Sequence, residues 1–148
     1  MIGKTQRVID ANFNRAREGL RVCEDIARFL MDSPSLTRRF KAARHGISGI
    51  VGGLERSTYL ELTGFRDSIN DVGRASGKKS EMRRRSISDI FIANIERSKE
   101  SVRVLEEFFK LIDAKKAAAL SRIRFSLYDI ERDAAGKIAA LNKDIRTR

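Results

Sequence analysis

A segment of 22 residues occurs twice in this chain, and this repeat constrains the fold more than any other feature. Residues 9–30 (IDANFNRAREGLRVCEDIARFL) align without a gap on residues 91–112 (FIANIERSKESVRVLEEFFKLI), at a constant offset of 82. Seven of the 22 positions are identical, and most of these are polar. A duplicated helix needs only its apolar spacing to keep packing, so matched polar residues indicate a shared hydrogen-bonding or ligand-binding task.

Both copies have the apolar period of an amphipathic helix, with the same polar residues at the same places. Asn12 falls within the apolar stripe of the first copy and Arg15 borders it, as Asn94 and Arg97 do in the second. A two-fold arrangement would bring both amides and both guanidinium groups to one end of the molecule, where they suit a phosphate and a polar heterocycle. The alternative is that each asparagine only ties its helix to loop backbone.

A second helix is predicted after each copy. Ser33 provides an N-cap and Pro34 occupies the first helical position, so this helix starts after a very short turn. An apolar period then continues toward Tyr59, and an offset of 80 places Arg124 of the second half over Arg44 of the first. Each half is therefore an αα-hairpin. The four expected helices cover about 5–31, 34–59, 87–112 and 115–140.

The segment between the hairpins has neither a helical nor a strand period and is rich in glycine, serine and charge. Such a stretch in a compact domain is usually a functional loop or a linker. We predict a single all-α domain over residues 1–148, a four-helix bundle of two duplicated αα-hairpins with a long crossover loop. The repeats cover about 5–60 and 87–142, and the loop covers 61–86.

The composition favours anionic partners and a reducing compartment. The chain has one cysteine, and 31 Lys and Arg residues against 20 Asp and Glu residues give a formal net charge of +11. This charge favours polyanions or phosphorylated small molecules. Cys23 lies in the apolar stripe, so we expect a core thiol and not a nucleophile. Without a leader-like segment or a long apolar run, we expect a cytoplasmic protein with no membrane partner; a homo-oligomer is compatible with the sequence.

Hairpin geometry brings opposite charges together in each half. With the turn near Ser33, Arg44 comes alongside Glu24, and Arg124 comes alongside Glu106 in the second hairpin. Because a buried unpaired charge is costly, structural ion pairs are the favoured interpretation for these four residues, and a role in the site is the alternative.

The sequence RDSINDVG in the crossover loop adds Arg66 and two carboxylates, Asp67 and Asp71, in a turn with Gly73. Two carboxylates suffice to hold Mg²⁺ beside phosphates, because this ion keeps several of its waters. A solvated turn is the alternative interpretation.

Three segments together resemble a known family: DANFNRAREGLRVCEDIARF with the downstream Arg44, the RDSINDVG segment, and ANIERSKESVRVLEEFFKL. They are similar, over about Arg7 to Glu131, to the all-helical domain found alone or fused ahead of thiamine phosphate synthase. The resemblance implies an ATP-dependent kinase that converts hydroxymethylpyrimidine phosphate to the diphosphate that the synthase consumes, with ATP and Mg²⁺ as cofactors.

Phosphoryl transfer needs charge neutralisation and alignment more than a covalent nucleophile, which suits the residues singled out above. In this interpretation Arg15, Arg97 and Arg66 are the catalytic residues that clamp phosphates. The remaining predicted site residues are the Mg²⁺ ligands Asp67 and Asp71 and the pyrimidine-binding Asn12 and Asn94.

Two other classes of function stay open. One is a non-catalytic helper that docks onto thiamine phosphate synthase. The other is a basic helical module that binds nucleic acid through residues 78–85, which carry five basic side chains and no aromatic one. A solvated basic linker is the default interpretation of that run.

Overall fold

The computed structural model describes residues 2–52, 56–75 and 83–146, and all regular structure in these ranges is helical, which confirms the all-α prediction there. Helix α1 continues at its C-terminal end as a π-helical turn, Ile26–Leu30. The α-helices are α1 Ile2–Asp25, α2 Pro34–Val51, α3 Arg56–Gly64, α4 Ile87–Phe109 and α5 Ala114–Arg146. None of the described helices is long and apolar enough to span a membrane.

Side-chain caps start the helices that follow the turns. The Ser33 hydroxyl accepts a hydrogen bond from the backbone N–H of Leu36 at 3.3 Å, directly before Pro34 at the start of α2. The Ser86 hydroxyl accepts one from the N–H of Asp89 at 3.1 Å and begins α4. These bonds satisfy N–H groups that lack a partner within the helix, so the local sequence determines both starts.

The second predicted helix ends earlier than expected. Helix α2 stops at Val51, because Gly52 takes the left-handed conformation (φ 78°) and its N–H donates to the carbonyl of Ser48. Glycine adopts this conformation without steric cost, which makes it a frequent helix terminator.

The crossover loop is also shorter than predicted. Its first residues, 61–64, belong to α3, which begins at Arg56 and buries Leu62 against the core. Nine residues are too few for a clear helical period, so the pattern of this helix was hidden in the sequence. Residues 53–55 and 76–82 of the predicted elements lie outside the described ranges.

Four long helices pack around one core. Helix α1 contacts α2 and α4, α5 contacts the same two helices, and α3 lies against α1. Helices α1 and α4 run antiparallel, because Ala16 of α1 meets Ser98 of α4 while the later residue Cys23 meets the earlier residue Phe91. The two-fold relation between the hairpins and the four-helix bundle built from it stay predictions.

Candidate functional site

A cavity of about 720 Å³ lies between the N-terminal half of α1 and the segment that follows α3. We call it the main cavity. Helix α1 contributes charged residues in two groups with a spacing of three, which places them on one broad helical face; these are Lys4, Arg7 and Asp10, then Arg15 and Glu18. The segment after α3 contributes Arg66, Asp67, Ser68 and Asp71.

An ion pair between Asp10 and Arg66 joins the two walls of the cavity. Arg66 donates from Nε and Nη2 to the two carboxylate oxygens of Asp10, both at 2.9 Å. Asp10 is buried, whereas the Arg66 side chain is partly exposed. The hydrogen bond to Asp10 raises the pKa of Arg66 above its ordinary value. The pair therefore fixes a guanidinium group at the cavity edge with its plane set by two parallel bonds.

The two aspartates of the loop both line the cavity. The side-chain and backbone N–H groups of Asn70 donate to the Asp67 carboxylate, and these bonds lower its pKa, so it is ionised at neutral pH. Asp71 accepts the backbone N–H of Gly73 at 2.9 Å, which closes a tight turn. Arg7 donates from Nη2 to the carbonyl of Asp67 at 3.4 Å and ties this turn to α1.

Asp67 and Asp71 are the loop carboxylates that the sequence predicts to hold Mg²⁺. Among the described residues, no group of three or more His, Cys, Asp or Glu side chains is arranged to hold a metal ion. A site with one or two carboxylates still suits Mg²⁺, which keeps several waters and coordinates phosphate oxygens. The Mg²⁺ role of Asp67 and Asp71 stays a prediction.

Asn12 and Arg15 both line the main cavity. The Asn12 amide N–H donates to the carbonyl of Val8 at 2.9 Å, one turn earlier in α1. Arg15 is exposed and has no hydrogen bond or ion pair among the described residues, so its charge is available to a ligand.

Asn94 and Arg97 do not line the main cavity. Asn94 repeats the bond of its counterpart and donates to the carbonyl of Ile90 at 2.8 Å. Helices α1 and α4 run antiparallel past the contact between Ala16 and Ser98. The first turns of the two repeats therefore lie on opposite sides of this contact. The structure thus brings Asn12, Arg15, Arg66, Asp67 and Asp71 together and leaves Asn94 and Arg97 apart from them.

Buried ion pairs occur at equivalent positions of the two halves. Arg44 donates from Nε to Glu24 at 2.9 Å, and Arg124 donates from Nε to Glu106 at 2.8 Å. Both carboxylates are buried and both arginine side chains are 12% exposed. The hydrogen bond to Glu106, with a second to Tyr128, raises the pKa of Arg124.

Asp10 is a residue of the candidate site that the sequence interpretation missed. Its repeat partner is Ile92, so a comparison restricted to identical positions passes over it. A usable signal was present, because a carboxylate two residues before Asn12 and close to the core needs a cationic partner. The arginine-containing loop supplies that partner.

The basic run lies mostly outside the described ranges. Of residues 78–85, only Arg83, Arg84 and Arg85 are described, and all three are exposed. Two aromatic side chains, Phe125 and Tyr128, are exposed on α5, at a distance along the chain from this basic run.

Similar proteins were found among families and curated proteins. A model of the ThiD2 family matches residues 7–133. The chain is 38% identical over 136 residues to a thiamine-phosphate synthase of Rhodopirellula baltica, covering 92% of this chain and 36% of the relative. It is 38% identical over 128 residues to a thiamine-phosphate synthase of Synechococcus sp. (strain CC9605), covering 86% and 34%. The chain spans about a third of the length of these relatives. No solved structure matches it significantly.

Proposed function

We propose, since the chain belongs to the ThiD2 family, that it is an ATP-dependent kinase acting on hydroxymethylpyrimidine phosphate in thiamine biosynthesis. In the proposed reaction a phosphate oxygen of the pyrimidine substrate forms a bond to the γ-phosphorus of ATP. The bond from this phosphorus to the β,γ-bridging oxygen breaks, so that ADP and the pyrimidine diphosphate leave. The relatives named thiamine-phosphate synthase indicate the same biosynthetic route.

The main cavity is the observation that supports this proposal most directly. Its volume of about 720 Å³ is typical of sites for small organic ligands. Cationic side chains enter from both walls, Arg15 from α1 and Arg66 from the segment after α3. Asp10 holds Arg66 through two bonds, so this guanidinium group is already oriented before a phosphate binds.

The reaction asks this site for charge neutralisation and alignment. Arg15 and Arg66 balance the negative charge that accumulates on the transferred group, and Asn12 lies beside them to contact the pyrimidine or hold its own helix turn. An acceptor phosphate is already ionised near neutral pH, so the site needs no strong base. Asp67 and Asp71 would hold Mg²⁺, which neutralises phosphate charge when bound.

The repeat offers a matched pair of variants that tests the site. Arg15 and Arg97 occupy equivalent repeat positions and are both exposed, but only Arg15 lines the main cavity. In a coupled assay of ADP formation with hydroxymethylpyrimidine phosphate and MgATP, Arg15→Ala should raise the barrier by about 2–4 kcal/mol. Arg97→Ala should keep near wild-type turnover.

The same assay can reject the proposal. Absence of ADP formation by the purified wild-type chain would refute the kinase function. An equal loss of turnover in both variants would indicate that Arg97 belongs to the site and that the site is not the main cavity. Nucleic-acid binding that collapses with added salt, with no response to small phosphorylated ligands, would favour the basic module instead.

A non-catalytic helper of thiamine-phosphate synthase is the second candidate. It is favoured by the curated relatives, in which the matching segment accounts for about a third of a synthase chain. A helper should be stabilised against thermal unfolding by added synthase, and MgATP with the pyrimidine phosphate should leave its melting temperature unchanged. The kinase proposal requires stabilisation by the small ligands.

A further inference from the structure

The repeat places two clefts of nearly equal size at equivalent positions of the two halves. Cleft A, of about 430 Å³, is lined by Asn14, Arg17, Glu18, Arg21 and Arg44. Cleft B, of about 440 Å³, is lined by Glu96, Lys99, Glu100, Arg103, Arg124 and Tyr128. The first four residues of each cleft correspond at the offset of 82, and the last arginine of each corresponds at 80.

In cleft B the protein neutralises its own cations. Lys99 contacts Glu96 on its own helix and donates to Glu131 of α5 at 2.7 Å. Arg103 pairs with Glu107 at 3.0 Å. Every amino or guanidinium group of this cleft therefore has a carboxylate partner, which leaves little attraction for an external anion.

In cleft A the central cation lacks these partners. The equivalent of Glu96 is the neutral Asn14, and the equivalent of Glu131 at the offset of 80 is the apolar Val51. Arg17 forms no ion pair with any described residue, and its Nε is buried without a hydrogen-bond partner. Its guanidinium group packs over the ring of Phe13, with 5.2 Å to the centroid. A cation without a carboxylate partner attracts an anionic ligand group more strongly than one that is already paired.

Cleft A is continuous with the main cavity. Asn14 and Glu18 line both, so a ligand in the cavity can extend one group into the cleft. There it would meet Arg17 and Arg21, together with Arg44, whose Nε is held by Glu24. Arg21 pairs with Asp25 at 3.3 Å, so Arg17 is the guanidinium group of this cleft without a carboxylate partner among the described residues, which suits it to a phosphate.

We infer that cleft A binds a phosphate group of a substrate through Arg17, and that cleft B has lost or never had this capacity. This inference adds a binding residue to the proposed function. It rests on the proposed function only for the identity of the phosphate, which belongs either to the nucleotide tail or to the pyrimidine phosphate. Arg17 is thereby a binding residue in the cleft next to the main cavity.

Binding measurements on the full chain test this inference without turnover. Calorimetry at constant ionic strength would use two probes, inorganic tripolyphosphate and hydroxymethylpyrimidine phosphate. Arg17→Gln should weaken one probe by about ten- to a hundredfold, the loss expected for charge-assisted hydrogen bonds. Weaker binding of tripolyphosphate would identify the phosphate in cleft A as part of the nucleotide tail. Weaker binding of the pyrimidine phosphate would identify it as the phosphate of the acceptor. Asn14→Glu, which introduces the residue found at the equivalent position of cleft B, should weaken the binding of the same probe.

The matched control is Lys99→Gln, the equivalent change in cleft B, which should leave both dissociation constants within about twofold. Unchanged binding in Arg17→Gln overturns the inference, as does equal weakening in Lys99→Gln or no binding of either probe to the wild type. Folding of each variant is checked by thermal unfolding. Binding through Arg17 in a chain without kinase turnover would keep this inference and refute the proposed function.

Discussion

Gly19 provides a quantitative test of the packing of α1 against α4. A Cβ atom at this position would lie 2.7 Å from the backbone carbonyl oxygen of Asn94 and would also clash with the hydroxyl of Ser98. The carbonyl belongs to helix α4 and cannot turn away, so Gly19→Ala forces the two helices apart. Overpacking of this kind costs about 1–3 kcal/mol, and the lost bond from Ser98 to the Ala16 carbonyl adds about 1 kcal/mol. The better helix propensity of alanine offsets about 1 kcal/mol of this loss in stability.

The net expectation for Gly19→Ala is a loss of about 1–3 kcal/mol in the free energy of unfolding, measured by urea denaturation. At this chain length the melting temperature should fall by roughly 3–10 °C. Gly49→Ala in α2 and Gly136→Ala in α5 are matched controls, because nothing lies within 4 Å of either Cβ position. Both should be neutral or stabilising by up to about 1 kcal/mol. A Gly19→Ala variant as stable as these controls would refute the close antiparallel contact.

Two further predictions concern buried groups. Glu24→Gln and Glu106→Gln should each lower the free energy of unfolding by about 3 kcal/mol, because each leaves a mostly buried arginine without its partner. Loss of turnover in Glu106→Gln at unchanged stability would instead place the second pair in the site. Burial raises the pKa of Cys23 to about 12 from its ordinary 9.0, so native protein at pH 8 should resist thiol alkylation until it unfolds. The unfolded thiol ionises first, so this group should reduce stability as the pH rises from 9 toward 12, an effect that Cys23→Ser should remove.

Local patterns predicted the starts of α2 and α4 but not the end of α2. Ser33 and Ser86 each cap a helix by accepting a hydrogen bond from an N–H three residues later. Both partners of this bond are therefore present in one short stretch of sequence. Gly46 and Gly49 lie inside α2, whereas Gly52 ends it. Glycine permits both conformations, and packing elsewhere in the chain selects between them.

Which residues line the main cavity was predictable only in part. Arg15, the loop aspartates and Arg66 were placed in one site from their positions along the chain, and they line one cavity. The offset of 82 defines which residues are equivalent but contains no information on the relative direction of α1 and α4. The antiparallel contact of Ala16 with Ser98 separates Asn94 and Arg97 from the cavity, and only tertiary structure could supply that direction.

The repeat predicted a shared hydrogen-bonding or ligand-binding task for its matched polar residues, and several of them have equivalent hydrogen bonds in both copies. Several polar residues that the copies share are used internally: Asn12 and Asn94 each bond their own helix, and Glu24 and Glu106 each bind an arginine of the next helix. The cavity and cleft A are lined both by residues that the copies share, such as Arg15 and Glu18, and by residues at which they differ. Of the latter, Asp10 stands where the second copy has Ile92 and holds Arg66, and Asn14 stands where it has Glu96 and leaves Arg17 without a carboxylate partner among the described residues. Since a duplicated bundle must keep the bonds that close its core, a ligand site that occurs once must arise from such differences.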